Sequence, residues 1–311
     1  MGLGALADPR AVALTLVVDG VTAEVWRALG DTRIPAILLK GPSISRWLYD
    51  RTAVRAYGDA DVLVDPARLE EARRLLFRLG FEPRTPLIRG DRPRPSGAWL
   101  RPRDRATVDL HSSITGVSVS PEAAWRILRE NVEPFDVAGV EVDVLTIPAR
   151  SLHVALHALQ HGPRERKPME DLRRAVSRVP TETWAEASAL AGSLAAVQAF
   201  AAGLRLDPAG AQLADRLGLP REVTVEVALR ARGVPPGTLS VDWLMTRQGF
   251  PAKAALLARK LLPPPSFMRQ WLPLARRGPL GLALVYLWRP LWLAWRTGPA
   301  LVAWTRVRRE S

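Results

Sequence analysis

The chain of 311 residues contains no cysteine. That absence excludes a disulfide framework, a thiolate nucleophile and a cysteine-ligated metal site, and it suits a reducing, cytoplasmic setting. Lysine is scarce as well. Only four of the 44 basic residues are lysines, namely Lys40, Lys167, Lys253 and Lys260. There is no internal repeat and no long apolar run. The longest charge-free piece of the C-terminal region, residues 278–288, has eleven residues, against the roughly 20 a helix needs to span a bilayer. The opening "MGLGALADPRAVALTLVVDG" lacks a basic stretch ahead of its apolar residues, and Asp8 and Arg10 interrupt it, so it does not read as a signal peptide. Leu6 stands where a myristoylation motif wants Ser or Thr.

Acidic residues are nearly missing from the last part of the chain. From Lys253 onward there are eleven Lys or Arg and a single acid, Glu310, so this segment carries +10 of the total +13. The high pI is a property of the tail and argues against nucleic acid as the partner of the whole protein. The rest of the composition, 48% hydrophobic and 24% charged, is that of a globular chain long enough for two domains.

Hydrophobic periodicity predicts a helix over 11–29, a short buried strand at 36–39, and a Gly41-Pro42-Ser43 turn into a helix that runs through Tyr49. A strand follows at 59–64, then an amphipathic helix over 67–80 with Pro66 at its start and Gly80 at its end. Residues 97–102 and 106–114 read as paired strands, 121–131 as a helix, and 132–145 as a hairpin about Gly139. After Pro148 the pattern becomes helical, over 149–162, 169–179, 181–204, 209–218 and 221–231, with no strand beyond residue 146. The expected fold is α+β: a mixed sheet with flanking helices in residues 1–148, a helical domain in 149–262, and a basic, Trp-rich helical tail in 263–311. Residues 84–97, "RTPLIRGDRPRPSG", read as a mobile basic loop.

The chemistry concentrates in three places. Asp59 and Asp61 lie two apart on a predicted strand, so both carboxylates leave one face. Two such charges repel, and a divalent cation such as Mg²⁺, which favours carboxylate oxygens and phosphates, relieves them. Asp109 lies on another predicted strand, with His111 on the same face. Three converging carboxylates suit two-metal chemistry on a phosphate ester. Upstream, Lys40 precedes the Gly41-Pro42-Ser43 turn at a helix N-terminus, where free N–H groups favour phosphate oxygens, although Pro42 removes one of them.

The stretch "LLKGPSISRWLYDRTAVRAYGDADVLVDPARLEEARRLLFRLGFEP" resembles the uncharacterised bacterial nucleotidyltransferase family of the polymerase-beta-like superfamily. Lys40, Gly41, Tyr49, Arg55, Gly58, Asp59, Asp61, Gly80 and Phe81 match its pattern. "VDLH" at 108–111 matches its third-carboxylate segment, and "LHVALHALQHG" with Asp171 resembles the helical segment that follows. The resemblance spans residues 36–175, with a looser similarity in the tail. It implies an NTP as co-substrate and an acceptor that the family leaves unidentified, be it a small molecule, a peptide or a glycan. It implies that Asp59, Asp61 and Asp109 hold Mg²⁺ or Mn²⁺, with Asp109 also acting as base. It places Lys40, Gly41, Ser43, Arg55 and Gly58 around the nucleotide. Pro42 and Ser112 depart from the pattern without removing a carboxylate.

Other features carry more than one reading. Arg55 suits phosphate neutralisation, bracing of the carboxylates, or a surface salt bridge. His153, His157 and His161 share one helix face, which fits a structural helix, a metal site, or, for His157 and His161, the wall of a substrate cleft. Asp171 is expected to pair with one of these histidines or with Lys167. Four of the eleven tryptophans fall between residues 288 and 304, mixed with Arg289 and Arg296. That mixture fits a membrane interface on the inner face of the membrane, packing on the helical domain, or docking to a protein. Rival functions are therefore a catalytically inactive nucleotide-binding partner protein and a peripheral membrane scaffold.

Overall fold

A computed structural model describes residues 9–50, 55–84, 96–234, 236–246 and 249–310. Most of the segment read as a mobile basic loop, 85–95, lies outside the described residues. The chain divides into two compact units, one carrying the sheet and the helices up to residue 221, the other formed by Glu222–Ser311.

The first unit is built on a seven-stranded mixed sheet of β1 (Ala36–Leu38), β2 (Ala60–Val64), β3 (Glu82–Pro83), β4 (Ser96–Arg101), β5 (Ala106–His111), β6 (Val132–Val137) and β7 (Val140–Leu145), in the order β3-β4-β5-β2-β1-β7-β6. The pairs β2–β5 and β1–β7 are parallel and the other four are antiparallel. All eight residues of β1 and β2 are buried, as central strands are, and seven of them are apolar, Asp61 being the exception.

Parity assigns the two faces. Ala60, Val62 and Val64 of β2 and Ala106, Val108 and Leu110 of β5 enter one core with Val21, Val25 and Leu29 of α1 (Pro9–Asp31) and Leu69, Ala72, Leu75 and Leu76 of α3 (Leu69–Arg78). The alternate positions, Asp61, Leu63, Asp109 and His111, therefore leave the opposite face. After β1 comes α2 (Pro42–Leu48), a seven-residue helix entered through Gly41 at φ +71°. A Cβ at Gly41 would meet the Tyr57 ring at 3.5 Å and the Asp59 carbonyl oxygen at 3.8 Å, and only glycine adopts this φ without strain.

The unit continues through α4 (Pro121–Arg129), capped by Ser120, and then α5 (Ile147–His161), α6 (Arg166–Arg178), α7 (Thr181–Ser193), α8 (Val197–Leu204) and α9 (Pro208–Arg216). Helix α5 is buried along most of its length and packs against α6, α7 and α8. The single helix expected over 181–204 is two, because the chain turns at Ala195, φ +48°. No glycine or proline at 194–196 marks that turn in the sequence.

The second unit contains α10 (Val225–Ala231), α11 (Pro236–Thr246), α12 (Phe250–Leu261), α13 (Pro265–Trp271) and α14 (Pro279–Glu310). Among the described residues no helix is long and apolar enough to cross a membrane. The molecule is an α+β protein, and among the described residues its strands all lie in the N-terminal half.

Candidate active site

The register of the parallel pair decides the geometry of the site. Asp61 of β2 stands directly opposite Asp109 of β5, and Leu63 opposite His111. Ligand atoms of Asp61, Asp109 and His111 all lie within 4.8 Å of one another, which makes this trio the group of the described residues able to share one metal ion. Asp59 sits one residue before β2, two from Asp61, and belongs to the same electrostatic cluster without joining that trio.

The charges respond to the crowding. Burial, and then the neighbouring Asp61 carboxylate, raise the Asp59 carboxyl, with Lys40, Lys167 and Arg55 opposing them. Burial and the charges of Asp61 and Asp59 raise Asp109 in the same way. Asp61, only 3% exposed, behaves in the opposite sense. Burial disfavours its charge, but hydrogen bonds and charge from His111 and Lys40 outweigh it and hold the carboxyl well below the usual range. Both partners meet the same oxygen, Lys40 Nζ at 2.7 Å and His111 Nε2 at 3.1 Å from Asp61 Oδ1. The carboxylate oxygens of Asp61 and Asp109 with one imidazole form a donor set that fits a hard divalent cation, which would also relieve the burial and like charge that raise Asp59 and Asp109.

Lys40 is the link to the next wall. Its ammonium lies 3.5 Å from Nε2 of His157, so that nitrogen faces a donor and the imidazole is neutral. Burial and the Lys40 charge lower His157 well below its ordinary value, and they lower His161 too. The three histidines form a ladder along α5, with ring centroids 6.0 Å apart for His153–His157 and 4.6 Å for His157–His161. His153 is fully enclosed, and both its ring nitrogens lack a hydrogen-bond partner among the described residues. Desolvation pushes it down to about 3. None of the three joins a ligand cluster of metal-binding dimensions among the described residues.

Other expected site residues flank this cluster, two of them bound to partners of their own. Arg55 is 5% exposed and makes a two-pronged ion pair with Asp171, Nε–Oδ1 and Nη2–Oδ2 both 2.7 Å. The Tyr49 hydroxyl donates to the same Asp171 Oδ1 at 2.7 Å. Asp171 thus takes Arg55 and Tyr49 rather than a histidine or Lys167, because a buried carboxylate is best met by the fork of a guanidinium. Ser43 is fully buried, and its hydroxyl donates to the carbonyl of Lys40 or Leu39 (3.3 and 3.4 Å), which closes the turn. Gly58 is exposed just ahead of Asp59. One participant escaped the sequence reading: Lys167 at the start of α6 bears electrostatically on Asp59. The scarcity of lysine was the available signal, since two of the four lysines flank this cluster.

Residues 11–208 match the family described as uncharacterised nucleotidyltransferase, and the chain belongs to that family. The match takes in the whole of the strand pair that carries the carboxylates. Among solved structures, the solution structure of the antibiotic-resistance factor ANT(2'')-Ia is similar at 16% identity, covering 60% of this chain and 95% of that one, with a TM-score of 0.40. An antigenic nucleotidyltransferase-like protein from Paracoccidioides brasiliensis is similar at 16% identity, covering 59% of this chain and 92% of that one, with a TM-score of 0.33. Among curated proteins none matches.

Proposed function

We propose that this nucleotidyltransferase moves a nucleoside monophosphate from an NTP to an acceptor hydroxyl or similar group and releases pyrophosphate. The observation that carries the proposal is the in-register pairing of Asp61 with Asp109, with Asp59 near enough to feel the Asp61 charge. Asp61 and Asp109, with His111 in the same trio, would hold Mg²⁺ or Mn²⁺, and Asp59 beside them would complete the carboxylate set once the ion binds. A bound divalent cation supplies charge neutralisation for the triphosphate and the departing pyrophosphate. Lys40, seated on Asp61, would turn its ammonium to a phosphate oxygen, and Gly41 keeps the backbone beside it free of a side chain. The acceptor oxygen bonds to the α-phosphorus, the bond from that phosphorus to the α–β bridging oxygen breaks, and the acceptor proton passes to Asp109. Neutral His157 beside Lys40, with His161 against its ring, suits the wall that meets the substrate. Arg55 acts on the nucleotide indirectly, by fixing α6 and its Lys167 through Asp171. In this reading the sheet up to residue 148 supplies the chemistry and the helices α5 and α6 of the same unit wall it.

The test is incubation with each α-labelled NTP and Mg²⁺, with and without cell extract. Transfer of label to a small molecule or macromolecule is expected, abolished by Asp61→Asn and Asp59→Asn and by chelation with EDTA. Nucleotide binding without label transfer from any NTP would favour the inactive nucleotide-binding protein instead.

A further inference from the structure

Helix α14 has two apolar sides, and the protein uses only one. Inward, Val285 packs with Met268 and Ala275, while Ala300, Trp304 and Val307 pack with Leu229 and Val241. Trp304 Nε1 donates to Asp242 Oδ1 at 2.8 Å, and Arg289, 8% exposed, donates to the Lys260 carbonyl and lies over the rings of Phe267 and Trp271. These contacts pin the helix in rotation. Its other side consequently stays outward: Leu280, Leu284, Leu287, Leu291, Trp295 and Val302 recur at helical spacing and are 56% or more exposed, Leu280 82% and Trp295 77%. Trp288 joins the same stripe at 52%. Among the described side chains, no exposed position between Leu280 and Val302 is charged. The stripe runs about 33 Å at 1.5 Å per residue, far more than the scattered apolar residues of an ordinary surface.

Charge selects the occupant. Exposed Arg276 and Arg277 precede the stripe, and exposed Arg306, Arg308 and Arg309 follow it. No acid occurs between Lys253 and Arg309. A second copy laid face to face would bring arginine ends against arginine ends in either orientation, with Glu310 the single carboxylate of the segment against five exposed arginines. A surface that is apolar in its depth and anionic at its rim meets both demands at once, and tryptophan is at home at that boundary. We propose that α14 is an in-plane anchor that seats its Leu/Trp stripe in the interfacial layer of an anionic bilayer, with the flanking arginines on the lipid headgroups.

The experiment is flotation of the full chain with vesicles of phosphatidylcholine alone and of equal parts phosphatidylcholine and phosphatidylglycerol. The protein should float with the anionic vesicles, less with the neutral ones, and less as salt rises. Leu287→Glu with Trp295→Glu should lower the partition about tenfold or more, since both side chains would be withdrawn from the apolar layer. Arg306→Glu with Arg309→Glu leaves the stripe intact and should weaken binding to anionic vesicles alone, by about fivefold or more for each arginine. The arginine pair decides the matter if the first pair loses its thermal transition. Failure of the unsubstituted chain to float with either vesicle overturns the anchor, as does flotation indifferent to both pairs. Sedimentation showing a dimer that Leu287→Glu with Trp295→Glu splits, without flotation, assigns the stripe to a second copy.

Discussion

At the scale of single residues, the buried ion pair and the buried histidine make opposite demands. Arg55 and Asp171 side chains are 4% and 2% exposed, and each is the other's charge partner. Removing one leaves an uncompensated charge inside the protein. Asp171→Ala should therefore destabilise the protein by about 3–5 kcal/mol in denaturant titration, whereas Arg55→Met combined with Asp171→Leu should lose far less. His153 has no hydrogen bond to lose among the described residues, so a phenylalanine of similar shape should be tolerated there. Its pH effect has a definite sign. The folded value, about 3, lies below the ordinary 6.5, so the unfolded chain binds more protons between those values. Stability is full above about pH 6.5 and is lost as pH falls toward 3, by up to about 1.4 kcal/mol per unit, and His157 pulls the same way. His153→Phe should flatten that acid slope in melting temperatures taken across the range.

At the scale of elements, α5 is the part whose position matters to the site, because it carries His157 to Lys40. Its seat on α8 depends on a missing side chain. A Cβ at Gly203 would lie 2.2 Å from the backbone oxygen of Ala155, so the helices touch backbone to backbone there. Gly203→Ala should cost about 3 kcal/mol or more, since no rotamer change relieves a backbone clash. Transfer activity should fall with it, measured at a temperature where the variant stays folded, because the displaced α5 carries the histidine wall away from Lys40. The strand pair was easier to foresee. Alternation in "DADVLV" and "ATVDLH" already placed the carboxylates on one face of each strand. That β2 and β5 are neighbours, parallel, and in register at Asp61 and Asp109 follows from pairing across 48 residues of chain, which periodicity does not encode. The break at Ala195 was equally hidden, since a non-glycine residue at positive φ leaves no mark in composition.

At the scale of the whole molecule, the cluster of Asp59, Asp61, Asp109 and Lys40 lies within the first unit, and the basic segment within the second. A ligand that binds only the native form of a site stabilises the elements that build it, by about 2.7 kcal/mol at a hundredfold excess over its Kd. Hydrogen exchange with a non-hydrolysable NTP and Mg²⁺ should accordingly slow at 36–64, 106–111 and 147–161 and leave 222–310 unchanged. Protection confined to 222–310 would move the nucleotide away from the carboxylates.

The sequence by itself determined the α+β class, the family, the +10 of the last segment and the alternation that sets carboxylates on one face, because each depends on residue types at short spacing. Only the tertiary structure decided which partners those side chains meet: Lys40 with Asp61, Arg55 with Asp171, Ser43 turned into its own backbone, and one flank of α14 buried while the other stays bare. Such pairings join residues far apart along the chain, and their strength comes from exclusion of water, which exists only once the elements have packed.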